Sequence, residues 1–119
     1  MAVTITEETF GTVKKIKFSW TSDALGAANG TTINAYSGKI ERLVTVPGIG
    51  ADQPTALYGV VINDEDTTDV LMAAGANRSN AVTEQVLGTS LGIVANDKLS
   101  LAVINAGATK KGTAYLYIR

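Results

Sequence analysis

Apolar and polar residues alternate with the two-residue period of a β-strand along much of this chain. From Thr12 to Thr21, Ile16, Phe18 and Trp20 fall on one side, and Lys15, Lys17, Ser19 and Thr21 on the other. This first clear strand turns a large apolar face toward a core. Asp23 to Gly30 reads as a small-residue loop ending in the tight-turn pair Asn29 and Gly30. Thr31 to Tyr36 and Lys39 to Val46 read as the next strands. In the second, Ile40, Val44 and Val46 oppose Glu41 and Thr45, while Arg42 and Leu43 break the pattern. Pro47 to Thr55 carries both prolines and reads as a surface loop.

Leu57 to Asn63 is apolar on both sides, with Tyr58, Val60 and Ile62 opposing Leu57 and Val61, so a strand covered on both faces is expected. Asp64, Glu65 and Asp66 turn the chain into a short strand around Val70 to Met72, and Ala73 to Ala81 forms a small, polar loop. Val82 to Leu87 fits a strand or one helical turn after Ser79; its strand neighbours, with Gly88 and Gly92 close behind, favour the strand. Near the end, Leu99, Leu101 and Val103 alternate with Lys98, Ser100 and Ala102. Asn105 to Gly112 turns, and Ala114, Leu116 and Ile118 then alternate with Thr113, Tyr115 and Tyr117. That pattern predicts a C-terminal hairpin whose last strand, running to Arg119, is paired into a sheet.

Ala2 to Gly11 alternates Val3 and Ile5 with Thr4 and Thr6 and meets the first core strand without a marked Gly or Pro turn. Residues 1–11 are therefore either an arm that adds a strand to a neighbouring chain or the first strand of their own sheet. About eight strands, no internal repeat and little room for helices predict an all-β fold, an antiparallel two-sheet β-sandwich of jelly-roll-like form. Residues 1–119 make one such domain.

Composition narrows the function. Ten basic residues against eleven acidic ones give a net charge of −1, so no whole-molecule field draws in a nucleic-acid backbone or an anionic membrane. No apolar run reaches the ~20 residues of a helical membrane span. The start of the chain has no basic segment followed by an apolar one, so synthesis in a cytoplasm without a secretory leader is expected. The Asn-x-Ser/Thr triplets at Asn29 and Asn77 are then turn residues. With no cysteine and no histidine, thiolate nucleophiles, the commonest general base and the commonest metal ligands are missing. Neither an enzyme nor a bound cofactor is expected, and no catalytic, cofactor-binding or metal residue is assigned.

Asp64, Glu65, Asp66 and Asp69 form the one dense carboxylate cluster, but they lack the spacing of a calcium loop and read as a hydrated turn. Gly107 to Thr113 fails as a phosphate loop because Thr113, not lysine, follows the second glycine and a strand comes next. Gly48-Ile49-Gly50 lacks the helix that a dinucleotide loop requires. Lys14, Lys15 and Lys17 make a small basic patch, either a contact for a phosphate or an acidic partner surface or a guard against strand aggregation. Tyr115 and Tyr117 share a strand face. They either anchor a protein interface or pack within a covered sheet, with sugar stacking as a further option. Val3, Ile5 and Phe10, with Tyr115 and Tyr117, are the candidate partner-contacting residues.

Three stretches also carry a resemblance: Val3-Thr4-Ile5-Thr6-Glu7-Glu8-Thr9-Phe10-Gly11-Thr12-Val13-Lys14-Lys15-Ile16, Gly75-Ala76-Asn77-Arg78-Ser79-Asn80, and Lys110 through Arg119. In these the chain resembles small tailed-phage proteins encoded among head genes, of the capsid decoration (cement) type. The resemblance spans most of the chain and transfers no functional residue. It implies a virion structural protein on the capsid surface, a homotrimer or other homo-oligomer bound to the major capsid protein. The competing expectation is a carbohydrate-binding or adhesion module displayed on a virion, and a carboxylate-dependent hydrolase ranks last.

Overall fold

The structure, a computed structural model, describes residues 2–119. The strands among them are β1 (Ala2–Phe10), β2 (Val13–Thr21), β3 (Ala28–Thr31), β4 (Tyr36–Pro47), β5 (Gly59–Asn63), β6 (Glu84–Leu87), β7 (Ile93–Asp97), β8 (Ser100–Ile104) and β9 (Lys111–Ile118). Short 3-10 turns occupy Gly50–Asp52 and Gly88–Ser90. The large sheet runs β1-β2-β9-β4-β6, with β7 also paired to β4, and the small sheet runs β3-β8-β5; every pairing is antiparallel.

The order of pairing defines the topology. β2 pairs with β9, β3 with β8 and β4 with β7, working inward from the two ends of the chain. A chain doubled back on itself and then wound into two sheets gives that sequence of pairs, as in a jelly roll. β1 is an extra strand on the edge of the large sheet. Between the sheets lie Ile16, Phe18 and Trp20 of β2, facing Tyr58, Val60 and Ile62 on the β5 side and Leu101 and Val103 of β8, all buried. Trp20 and Tyr58 meet with ring centroids 5.5 Å apart. The alternation in β2 is thus a core face, as its sequence predicts.

Several local expectations are corrected. Asn29 and Gly30 are not a turn but lie inside β3, and Thr31 to Tyr36 is mostly loop. Gly30 is there for close approach: a Cβ on it would lie 2.7 Å from the Val3 Cβ of β1. The residues around Val70 to Met72 form turns rather than a strand, because the Asp69 carboxylate accepts the Leu71 and Ala73 N–H groups and competes with a ladder. This segment still follows the β5 edge through Val70 N–H to Ile62 O and Val60 N–H to Gly75 O. Leu57 is exposed and Val61 half-buried, so this strand is covered on one face, not both.

The expected C-terminal hairpin is a crossover. β8 belongs to the small sheet and β9 to the large one, so residues 105–110 bridge the sandwich, held by Ala106 N–H to Gly26 O and Ser22 N–H to Lys110 O. Alternation is the same whether two strands pair or face each other, and so could not separate the two arrangements. β7 was not expected, whereas Val82 to Leu87 does contain a strand, β6.

Of residues 1–11, Met1 lies outside the described residues; the rest form β1 and its turn. β1 pairs with β2 at every position from Ala2–Thr21 to Phe10–Val13, and Gly11, at φ +61°, makes the turn the sequence reading lacked. It is the first strand of its own sheet.

Candidate functional site

The outer face of the large sheet gathers the candidate residues. In β9, Ala114, Leu116 and Ile118 point into the core, which sends Tyr115 and Tyr117 outward, half-buried. Register then aligns neighbours across the strands. One row reads Glu8, Lys15, Tyr117, Arg42, Leu87, and the next Thr6, Lys17, Tyr115, Val44, Gln85. Side chains in adjacent strands at matched positions are close enough to interact.

Arg42 reaches this face only because β4 bulges. The register with β9 shifts between Ile40 and Arg42, leaving Glu41 as the extra residue. Ile40 and Leu43 therefore both enter the core, while Arg42 and Val44 turn outward. The broken alternation at Arg42 and Leu43 was the sequence signal for this bulge. It also corrects the expected pattern, since Val44 and Ile40 lie on opposite faces.

The result is a patch of interleaved cations and rings. The Arg42 guanidinium carbon sits 4.6 Å from the Tyr117 ring centroid; Lys15 Nζ is 5.3 Å from that of Tyr115 and 6.0 Å from that of Tyr117, and Lys17 Nζ is 5.9 Å from that of Tyr115. Among the described residues the one ion pair is Arg78 with Glu84, at 3.6 Å, so the cations of this patch have no carboxylate within salt-bridge distance. Phe10, exposed beside Val13 at the β1–β2 turn, extends the same face. A shallow concavity lined by Val13, Glu41, Arg42, Tyr117, Ile118 and Arg119 adjoins it.

The structure thus places Phe10, Tyr115 and Tyr117 on one face of the large sheet, with β2 between Phe10 and the tyrosines, and turns Val3 and Ile5 to the other face, where they pack against the core. Of the lysines, Lys15 and Lys17 belong to the patch, while Lys14 points to the other side, near Glu7 and Tyr36. Arg42 was not singled out from the sequence.

Elsewhere polar groups serve the backbone. Glu7 accepts hydrogen bonds from Ile33 N–H (2.9 Å), Asn34 N–H (3.1 Å) and the Tyr36 hydroxyl (2.6 Å), tying β1 to the β3–β4 loop. Partial burial works to raise its pKa, but these hydrogen bonds outweigh that and hold the carboxyl below its ordinary value. Lys39 Nζ donates to the carbonyls of Ile40, Gly88 and Leu91 and so anchors the β6–β7 connection. In the acidic segment, Asp64 accepts the Asp66 and Thr68 N–H groups and Glu65 that of Lys98. No three His, Cys, Asp or Glu side chains among the described residues converge as a metal site.

No family model and no curated protein matches the chain. Solved structures of similar shape include a crystal structure of FLHE, with a TM-score of 0.47 and 8% identity over 90% of this chain and 97% of that one. Another is the low-affinity xylan-binding module CBM86 of the gut symbiont Roseburia intestinalis, at 0.46 and 7% over 99% and 85%. A third is the infectious bursal disease virus Gx strain, at 0.40 and 16% over 90% of this chain and 32% of the viral one. At these scores the likenesses carry no argument about function.

Proposed function

We propose that this β-sandwich is a structural interaction protein of a tailed-phage virion, a decoration or cement protein that binds the major capsid protein of the assembled head. The observation that carries the reading is the outer face of the large sheet: Arg42, Lys15 and Lys17 interleaved with Tyr115 and Tyr117, without a carboxylate at salt-bridge distance, on a six-stranded sheet. Arginine and tyrosine are the residues that dominate protein interfaces, because they combine apolar area with directed hydrogen bonds. The segments that resemble phage head proteins supply the setting. Binding the intact shell but not its disrupted form stabilises the shell by mass action, and this task needs contact area rather than a catalytic pocket.

The arrangement also weighs against a carbohydrate-binding module. Sugar stacking needs an open ring face, and here cations lie over both tyrosine rings. The test is to add the purified protein to heads assembled without it, then follow co-sedimentation and the temperature of head rupture. Co-sedimentation with a raised rupture temperature supports the proposal; no association with heads, or glycan binding in its place, refutes it.

A further inference from the structure

We infer that two copies of this chain pair through the open edge of β1 to form a two-fold dimer whose large sheets are continuous. β1 is nine residues long, in unbroken register with β2, and paired on one side only. Phe10 and Val13 close a two-residue turn as a hydrogen-bonded pair. Hydrogen-bonded pairs then alternate down the ladder, so the N–H and C=O groups of Val3, Ile5, Glu7 and Thr9 face away from β2. No backbone hydrogen bond among the described residues joins these groups to another part of the chain.

Proteins normally guard such an edge with charged residues, proline, a bulge or a covering loop. In β1 the charges Glu7 and Glu8, with the loop that Glu7 holds, guard only the half nearest the β1–β2 turn; Ala2 to Thr6 have no charge, proline or bulge. The remaining edges are short or occupied: β3 has four residues, β6 and β7 have four and five with a 3-10 turn between, and β5 bonds to the turns that follow it. The row of alternating donors and acceptors along this edge, uncharged from Ala2 to Thr6, fits one kind of occupant, an extended strand. The occupant assigned here is β1 of a second copy. Antiparallel pairing about a two-fold axis consumes both open edges at once and leaves none to propagate. A register centred on Ile5 or Thr6 keeps Glu7 and Glu8 away from their counterparts. Ile33, 82% exposed and tied to this edge by its N–H bond to Glu7, gains cover.

The pairing also has a consequence for the face described above. The two-fold axis of an antiparallel pair is perpendicular to the sheet, so both patches of Tyr115, Tyr117 and Arg42 point to the same side. The dimer presents one wide, bivalent surface, with the gain in avidity that two linked sites give.

Sedimentation equilibrium of the full chain, with amide exchange measured by NMR, tests the pairing. The expected result is a two-copy mass, with slow exchange at Val3, Ile5, Glu7 and Thr9 although they face away from β2. The double substitution Thr4→Glu, Thr6→Glu, at exposed outer-face positions, should return the protein to one-copy mass with an unchanged circular dichroism spectrum. A monomer at millimolar concentration, a trimer, or a dimer with fast exchange at those four amides overturns the inference. Head binding is assayed separately: a wild-type protein that is monomeric and yet binds heads refutes the pairing and leaves the proposed function standing.

Discussion

The Tyr36 hydroxyl donates a 2.6 Å hydrogen bond to a Glu7 carboxylate that also holds two backbone N–H groups of the β3–β4 loop. One carboxylate thereby fastens the edge strand to the rest of the sandwich. Its folded-state pKa is depressed, so the contribution is present above the ordinary value of 4.5 and is lost as pH falls through the folded value. Urea midpoints of the wild type and Glu7→Gln should therefore differ at pH 7 and converge as the pH drops below 4.5. A difference that persists at pH 2 would contradict this account of Glu7.

Trp20 lies over Gly112, whose added Cβ would fall 2.4 Å from Trp20 Cζ2. Gly112→Ala should cost about 1–3 kcal/mol by overpacking. Trp20→Ala should cost about 3–5 kcal/mol by loss of packing. Denaturant unfolding measures both, and a neutral Gly112→Ala would mean that the Trp20 ring packs elsewhere.

Glu41 is the extra residue of the bulge, so the sheet should tolerate its loss. Removing it joins Ile40 directly to Arg42 and leaves Ile40 and Leu43 inward and Arg42 outward, the alternation of an unbulged ladder. Glu41→Ala should stay within about 0.5 kcal/mol of the wild type, as surface changes do, and the deletion variant should still unfold cooperatively in denaturant; loss of the cooperative transition on deletion would contradict the bulge assignment.

How far the sequence was legible depended on whether a constraint was local. The faces of β2 and β9 could be read directly, because period-two alternation of large apolar residues in Ile16, Phe18, Trp20 and in Leu116, Ile118 has one physical meaning. Gly30 was misread because its constraint comes from Val3, in a strand that is distant in sequence. The crossover from β8 to β9 was misread because the residues alternate identically whichever sheet receives them. The candidate site shows the same division. Tyr115, Tyr117, Lys15 and Lys17 could each be noticed singly, but their convergence follows from register, and Arg42 joins them through a bulge that appears in sequence only as a broken pattern.

The acidic turn should ignore calcium. Asp64 Oδ1 and both Asp69 carboxylate oxygens accept backbone N–H groups of their own turns. Millimolar chelator or calcium should leave the melting temperature unchanged, whereas Asp69→Ala should destabilise by roughly 1–3 kcal/mol because it strips acceptors from partly buried N–H groups. A melting temperature that falls with chelator and returns with calcium would contradict the turn assignment.

The most direct test of the proposed function is the affinity of the protein for heads that lack it, compared between the wild type and Arg42→Glu, Lys17→Glu. Both positions are on the solvent side of the sheet, so the fold should survive the charge reversal, which thermal melting verifies. The account predicts saturable binding by the wild type, weakened by added salt, and at least a tenfold loss for the double variant, the equivalent of about 1.4 kcal/mol. Equal affinity of the folded double variant, or the absence of wild-type binding, would contradict it.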